Sequence, residues 1–262
     1  MPFTVSHVAA VLPLARSPLP TAALAVGAVV PDLPYYLPLP LSSHTTHGPP
    51  GLPIGVLAGA GMLAVLRWGV HAPVAALAPD RVRSRLTAEP PPLTARRALL
   101  VAAALVVGIL THLVWDAFTQ VDGAAVRSWP LLWTMVAPPH RLFNVVMYAS
   151  SVLGLAAVAG WAVLRLRSAR PEPTAPPGLP PRVRAAVAAA VVVCAIAGAA
   201  LLAATPRAAV SGYDLVRCLV LGGMQGGAGA LACYVAAWHA LRPWRARGPG
   251  GHRPGGGLPY PP

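Results

Sequence analysis

Lysine is absent from this chain, and acidic residues number only seven against twenty arginines. Charged residues make up 10% of the 262 positions, where soluble domains carry roughly 25%. That deficit argues against a soluble enzyme with a large core. Cysteine is nearly absent too: the three, Cys194, Cys218 and Cys233, form no CxxC pair, which argues against a cysteine zinc site and leaves them as small apolar packing residues. No basic stretch precedes the first apolar residues, and Pro13, Arg16, Pro18 and Pro20 interrupt them, so a standard secretory signal is not expected. Short alternating segments of the kind that build transmembrane barrels are missing as well.

What is present is apolar mass: 56% of residues are hydrophobic, mostly alanine, valine and leucine. The runs are continuous and long enough to cross a hydrocarbon core of about 30 Å as helices. Five spans are expected, at 52–74, 98–118, 143–164, 183–203 and 216–240. The fold class is therefore all-α, a polytopic helical membrane protein, whose natural partner is the lipid bilayer. The arginine-only, Ala/Pro/Gly-rich composition points to a GC-rich bacterial genome, hence a bacterial plasma membrane.

The net charge of +13 could signal nucleic acid, but the arginines fall in the connections between apolar runs. Arg81, Arg83, Arg85, Arg96 and Arg97 crowd the first connection, and Arg127 and Arg141 alone occupy the second. Arg165, Arg167, Arg170, Arg182 and Arg184 fill the third, Arg207 with Arg217 at its edge the fourth, and Arg242, Arg245, Arg247 and Arg253 the tail. Rich connections alternating with poor ones are the signature of the positive-inside rule. No nucleic-acid partner is expected; the rich connections and the C-terminus should be cytoplasmic, and the stretch before Leu52 and the connection after Phe118 should face outward.

Residues 1–50 do not fit a simple span. The apolar stretch from Thr21 to Val30 is too short, so a kinked or re-entrant N-terminal segment is expected. The organisation expected is a membrane domain at 1–165, a Pro/Arg-rich cytoplasmic linker at 166–184, two further spans at 185–241 and a disordered Gly/Pro/Arg tail at 242–262, with His252 solvated within it.

The polar residues concentrate in the first half. "GILTHLVWDAFT" places His112 and Asp116 four apart, on one helix face near the end of a span. Ionisable residues in a span rarely face lipid; the plain reading is a hydrogen bond pinning two helices together. Asp32 lies between Pro31 and Pro34 and could be a helix cap. His44 and His47 lie three apart in a Ser/Thr/Pro/Gly loop, where a lone His-x-x-His is often only solvated. His7 follows "MPFTVS". Trp115, Trp129 and Trp133 fit an interfacial aromatic belt, and Asp122 an ordinary turn before Gly123. Together, His7, Asp32, His47, His112 and Asp116, with His44 as a further candidate, form a set suited to zinc or manganese. Such a set can activate water, with Asp32 and Asp116 as the carboxylates available for catalysis.

The motifs "MPFTVSHVAAVLPL", "GAVVPDLPYYLPL", "HTTHG", "GILTHLVWDAFT" and "YASSVLGL" resemble a bacterial membrane family known as domain of unknown function 4184, over about residues 1–160. More distantly, the order of His, Pro-Asp, Thr-His and His-x-x-x-Asp-x-x-Thr is similar to the inner-membrane metal-dependent hydrolases, a family compared in turn with zinc-dependent phospholipase C. The resemblance implies roles for His7, Asp32, His47, His112 and Asp116. The chain departs from the pattern at Gln120, where histidine is frequent, and at Gly48, where serine is. The function implied is hydrolysis of a phospholipid or lipid-linked phosphoester at the outer face, with a divalent metal. The alternatives are a non-catalytic metal-binding or structural membrane protein, and a transporter; against the last, the two halves share no repeat and the polar residues gather at one face.

Overall fold

The computed structural model describes residues 3–37, 40, 42–48, 50–86, 94–171 and 178–246. Among the described residues the fold is mostly helical, its strands confined to one short hairpin, and five helices are long and apolar enough to cross a membrane: 51–77, 95–128, 142–168, 181–203 and 212–241. Each expected span lies within one of these. The labels used below are α1 (Thr21–Gly27), α2 (Gly51–Leu77), α3 (Ala95–Thr119), α4 (Leu142–Ser168), α5 (Pro181–Ala203) and α6 (Gly212–Ala246), with β1 (Met135–Ala137) and β2 (His140–Arg141).

By its contacts the chain divides into two units, one of residues 1–71 and 78–177, the other of 72–77 and 178–262. The division falls inside α2 and after residue 177. Residues 172–177 of the expected linker and 247–262 of the expected tail, His252 included, lie outside the described residues; α6 carries through the first five residues of that tail.

The first unit is built around α3. Thr94 caps it, its hydroxyl accepting from Arg97 N at 3.2 Å. Its buried positions are Ala104, Leu105, Gly108, Ile109, His112, Asp116 and Thr119, a single stripe at helical spacing. The opposite face exposes Leu99, Leu110 and Val114. Apolar residues outside and ionisable residues inside is the arrangement a bilayer selects, because lipid does not solvate charge.

The N-terminal segment folds back on itself. A 3-10 helix, Thr4–Arg16, runs into a break at Ser17–Pro20, and α1 follows. Thirteen residues at 2.0 Å rise cover about 26 Å, short of a full crossing. The Thr4 hydroxyl then meets the Asp32 carboxylate at 2.5 Å, so both ends of the segment reach the same place. A segment of this length whose ends meet does not cross, and His7 thereby reaches the C-terminal end of α3, against His112 and Asp116. The 3-10 turn eclipses i and i+3, which sets Thr4 and His7 on one edge.

Two close approaches hold this hairpin. At Gly27 and Gly108, α1 and α3 touch backbone to backbone: a Cβ on Gly108 would stand 2.8 Å from Gly27 Cα and 2.7 Å from Ala28 N. Only glycine on both sides permits this, and small residues are how membrane helices gain packing contact. At the other side, Ser151 of α4 accepts from Phe3 N at 3.0 Å, and a Cβ on Gly154 would stand 2.8 Å from Ser6 O. The "YASSVLGL" motif thus seats the N-terminal strand of chain that carries His7. The core between these contacts is Val11, Ala23, Leu24, Val26, Ala28, Val30, Ala104 and Leu105.

In the second unit, α5 and α6 pack through Gly198, Gly222 and Gly226, with a Cβ on Gly226 meeting the Cys194 carbonyl. The Tyr234 hydroxyl donates to Pro73 O at 2.8 Å, and Leu179 N donates to Ala76 O at 3.0 Å. All three cysteines are free thiols, and Cys218 alone is buried.

Candidate metal centre

His112 and Asp116 project from α3 into the interior of the first unit, and three other segments bring groups to meet them. Asp32 arrives on the single turn Val30–Asp32, fixed by Pro31. His47 arrives on the short helix Ser43–His47, started by Ser42, whose side chain accepts from Thr45 N at 3.1 Å. His7 arrives on the N-terminal 3-10 helix.

Four of these groups offer ligand atoms that lie within 4.8 Å of one another: Asp32, His47, His112 and Asp116. The separations are specific. His47 Nε2 stands 3.3 Å from His112 Nε2 and 3.3 Å from Asp116 Oδ2, and His112 Nε2 stands 3.4 Å from Asp116 Oδ2. A metal with ligands at about 2.0–2.1 Å requires tetrahedral edges of about 3.3–3.4 Å. The three atoms therefore form one face of such a tetrahedron. Asp32 Oδ1 lies 3.7 Å from both imidazole Nε2 atoms, a looser fourth corner.

The tautomers follow from the outer partners. His112 Nδ1 lies 2.9 Å from the Ala28 carbonyl, which can only accept, so Nδ1 carries the proton and Nε2 presents its lone pair inward. For His47, the Thr46 hydroxyl gives its proton to Pro31 O at 2.7 Å and accepts from His47 Nδ1 at 3.2 Å. His47 Nε2 is likewise a lone-pair donor. Two imidazole Nε2 atoms and two carboxylates thus face one point. Histidines that donate their second nitrogen to backbone or hydroxyl oxygen are the usual support of metal ligands.

Asp32 and Asp116 are each held from behind. Tyr36 donates to Thr4 Oγ1 at 2.8 Å, and Thr4 donates to Asp32 Oδ2, leaving Oδ1 buried without a hydrogen-bond partner. Burial raises the Asp32 carboxyl above the ordinary carboxylate range, against the opposing pull of His112 and of the Thr4 hydrogen bond. Gln120 donates to Asp116 Oδ1 at 3.3 Å. A buried acceptor with no donor is costly, and a cation satisfies it.

His7 is adjacent but outside the group of four. Its ring stacks on His112 with centroids 4.0 Å apart, and its Nε2 stands 3.6 Å from Asp116 Oδ1. Neither ring nitrogen has a hydrogen-bond partner. Burial, then the neighbouring His112, pushes its imidazole down to about 3, so the ring is neutral. His44, named as a further candidate ligand, is exposed and does not join the group: three residues before His47 on a one-turn helix, it points away from the interior. Thr4, Tyr36 and the Ala28 carbonyl were not singled out by the sequence. Thr4 stands three before His7, a spacing that would have suggested it.

Side chains at the site are sealed except at His47, which is 23% exposed where Asp116 is 9%, Asp32 1% and His112 0%. Entry is thus on the His47 side. Asp116 lies three residues from the end of α3, about 4.5 Å along its axis.

The fold and the site define a polytopic helical membrane protein with a group of two aspartates and two histidines able to hold a metal ion near one end of a span. The chain belongs to the family described as domain of unknown function (DUF4184), whose model matches residues 1–236. The match reaches past the first 160 residues into α6, so the second unit is part of the family pattern. Comparison with curated proteins and with solved structures finds no match.

Proposed function

We propose that the protein is a membrane-embedded metal-dependent hydrolase of a phospholipid or lipid-linked phosphoester. The observation that supports this most is the triangle of His47 Nε2, His112 Nε2 and Asp116 Oδ2, with edges of 3.3, 3.3 and 3.4 Å and both histidine tautomers fixed. Three protein ligands with an open fourth position is the pattern of catalytic zinc, whereas four close a structural site. His47, His112 and Asp116 would hold a zinc or manganese ion, which when bound would supply Lewis acidity and lower the pKa of water toward neutrality.

The rest is the work of the chain. Asp32 Oδ1, at the looser fourth corner, is placed to take a proton from water, and Thr4 locks Oδ2 so that Oδ1 faces inward. His7 covers the His112 ring and excludes water from that side. That Asp116 lies within about 4.5 Å of the end of α3 supports a site near headgroup depth. In this reading the end of α3 faces outward from a bacterial plasma membrane and the C-terminus is cytoplasmic, which the arginine distribution supports.

One observation favours a second reading, an ion held without turnover: all four donors lie within 4.8 Å, close enough for Asp32 to be a fourth ligand. Asp32→Asn separates the two. The detergent-purified protein is assayed for metal by mass spectrometry and for hydrolysis of bis(p-nitrophenyl) phosphate and phospholipid. Retained metal with turnover lost supports the hydrolase; loss of metal in this variant, with no turnover in the wild type, supports the closed site.

A further inference from the structure

The connection between α3 and α4 has an apolar outer side. Its inner side chains, Val126 and Leu132, pack with Phe143 in a small core of their own. Its outer ones do not: Trp129, Leu131, Met135 and Val136 are 54%, 68%, 49% and 56% exposed. Four large apolar side chains projecting within eight residues is not the surface of a loop that lives in water. The segment is also built to hold its shape. Leu142 N donates to Thr134 O at 2.9 Å, and β1 pairs antiparallel with β2. The Arg141 guanidinium lies 4.5 Å over the Trp133 ring and donates to Trp133 O at 3.2 Å. Trp129 stands edge-on to Phe118 of α3, with centroids 5.5 Å apart.

We propose that residues 129–141 form a lip that inserts into one leaflet, with its outer apolar side chains at the hydrocarbon edge and Arg127 and Arg141 at anionic phospholipid headgroups. Two features identify the occupant. Both ends of the segment adjoin spans, the apolar stretch 95–128 and α4 from Leu142, so the lip cannot leave the membrane face and continues the exposed apolar surface of Leu110, Val114 and Val145. Its charge is also complementary: Arg127 and Arg141 stand against Asp122 alone between residues 120 and 141. Aromatic and aliphatic side chains beside arginine are the composition of interfacial anchors, and basic residues near the membrane surface are drawn to anionic lipid.

The test is site-directed spin labelling of the full chain in nanodiscs. Leu131→Cys and Val136→Cys carry the label in a background with Cys194, Cys218 and Cys233 replaced by alanine; Asp122→Cys is the aqueous reference. Labels at 131 and 136 are expected to collide severalfold more with oxygen than with a water-soluble nickel chelate, relative to 122. They are expected to lie deeper in discs containing phosphatidylglycerol than in phosphatidylcholine alone, and Arg127→Gln should reduce that difference. Nickel access equal to that at 122 overturns the lip; shielding from both reagents with dipolar broadening overturns it in favour of a second copy. Equal depth in both lipids overturns the headgroup assignment. None of these outcomes depends on the metal.

Discussion

His112 Nδ1 is bonded at 2.9 Å to the carbonyl of Ala28, 84 residues earlier in the chain, and this contact fixes which nitrogen faces the site. It exists because α1 lies directly on α3 through Gly27 and Gly108. The tautomer of the central histidine is thus set by a glycine contact one turn away.

The first prediction concerns the donors. His112→Ala and Asp116→Ala each remove one corner of the tight triangle, and each should take bound metal from about one ion per chain to near none. His44→Ala should leave it unchanged, because His44 is exposed and outside the group. Mass spectrometry of the three purified variants beside the wild type checks this. Loss of metal in His44→Ala, or its retention in both of the others, would contradict the assignment.

The glycine contact gives a second. Gly108→Leu places side-chain atoms where Gly27 Cα and Ala28 N already stand, and backbone cannot yield as a flexible side chain would. Overpacking of this kind costs about 1–3 kcal/mol or more, and here it also pulls the Ala28 carbonyl from His112. Thermal unfolding in detergent should show a clear loss of stability together with loss of metal. Gly61→Ala, where a Cβ meets nothing within 4 Å, is the control and should be neutral or stabilising.

How much of this was legible in the sequence depends on what kind of group carries it. The spans were legible because lipid demands long apolar runs. The His112–Asp116 pair was legible because a spacing of four has one meaning on a helix. Asp32, His47 and His7 gained weight only as a set, and only the folding back of residues 4–32 makes the set local. The short apolar stretch 21–30 and the prolines before it signalled a kinked or re-entrant segment, but not its form, since a thirteen-residue 3-10 helix is not what propensity favours. The Ala28 carbonyl was invisible for a deeper reason: every residue has one, so no residue type announces it. Gln120, where the family pattern frequently has histidine, hydrogen-bonds Asp116 and so supports a candidate ligand.

That support yields a third prediction. Gln120→Leu removes the donor to Asp116 Oδ1 while keeping size, leaving the carboxylate free to rotate. Partners that orient a ligand typically matter 10–100-fold in metal affinity. Competition against a calibrated chelator should show a weakening of about that order, with the folded protein intact by size-exclusion profile. An unchanged affinity would mean that α3 alone orients Asp116.

The Tyr36–Thr4–Asp32 chain provides the last. Thr4→Val keeps the shape and removes both hydrogen bonds, so Asp32 Oδ2 loses its donor and Oδ1 its fixed direction. The triangle of His47, His112 and Asp116 does not include Thr4, so metal content should hold. Turnover should fall by one to two orders of magnitude, since an unfixed base forfeits roughly 1–3 kcal/mol. Thr4→Ser restores a hydroxyl at the same place and should recover most of the activity. If Thr4→Val loses metal as well, Asp32 is a ligand and not a base, and the four-donor closed site is the better description; if it changes neither, the chain from Tyr36 serves only to anchor the N-terminal helix.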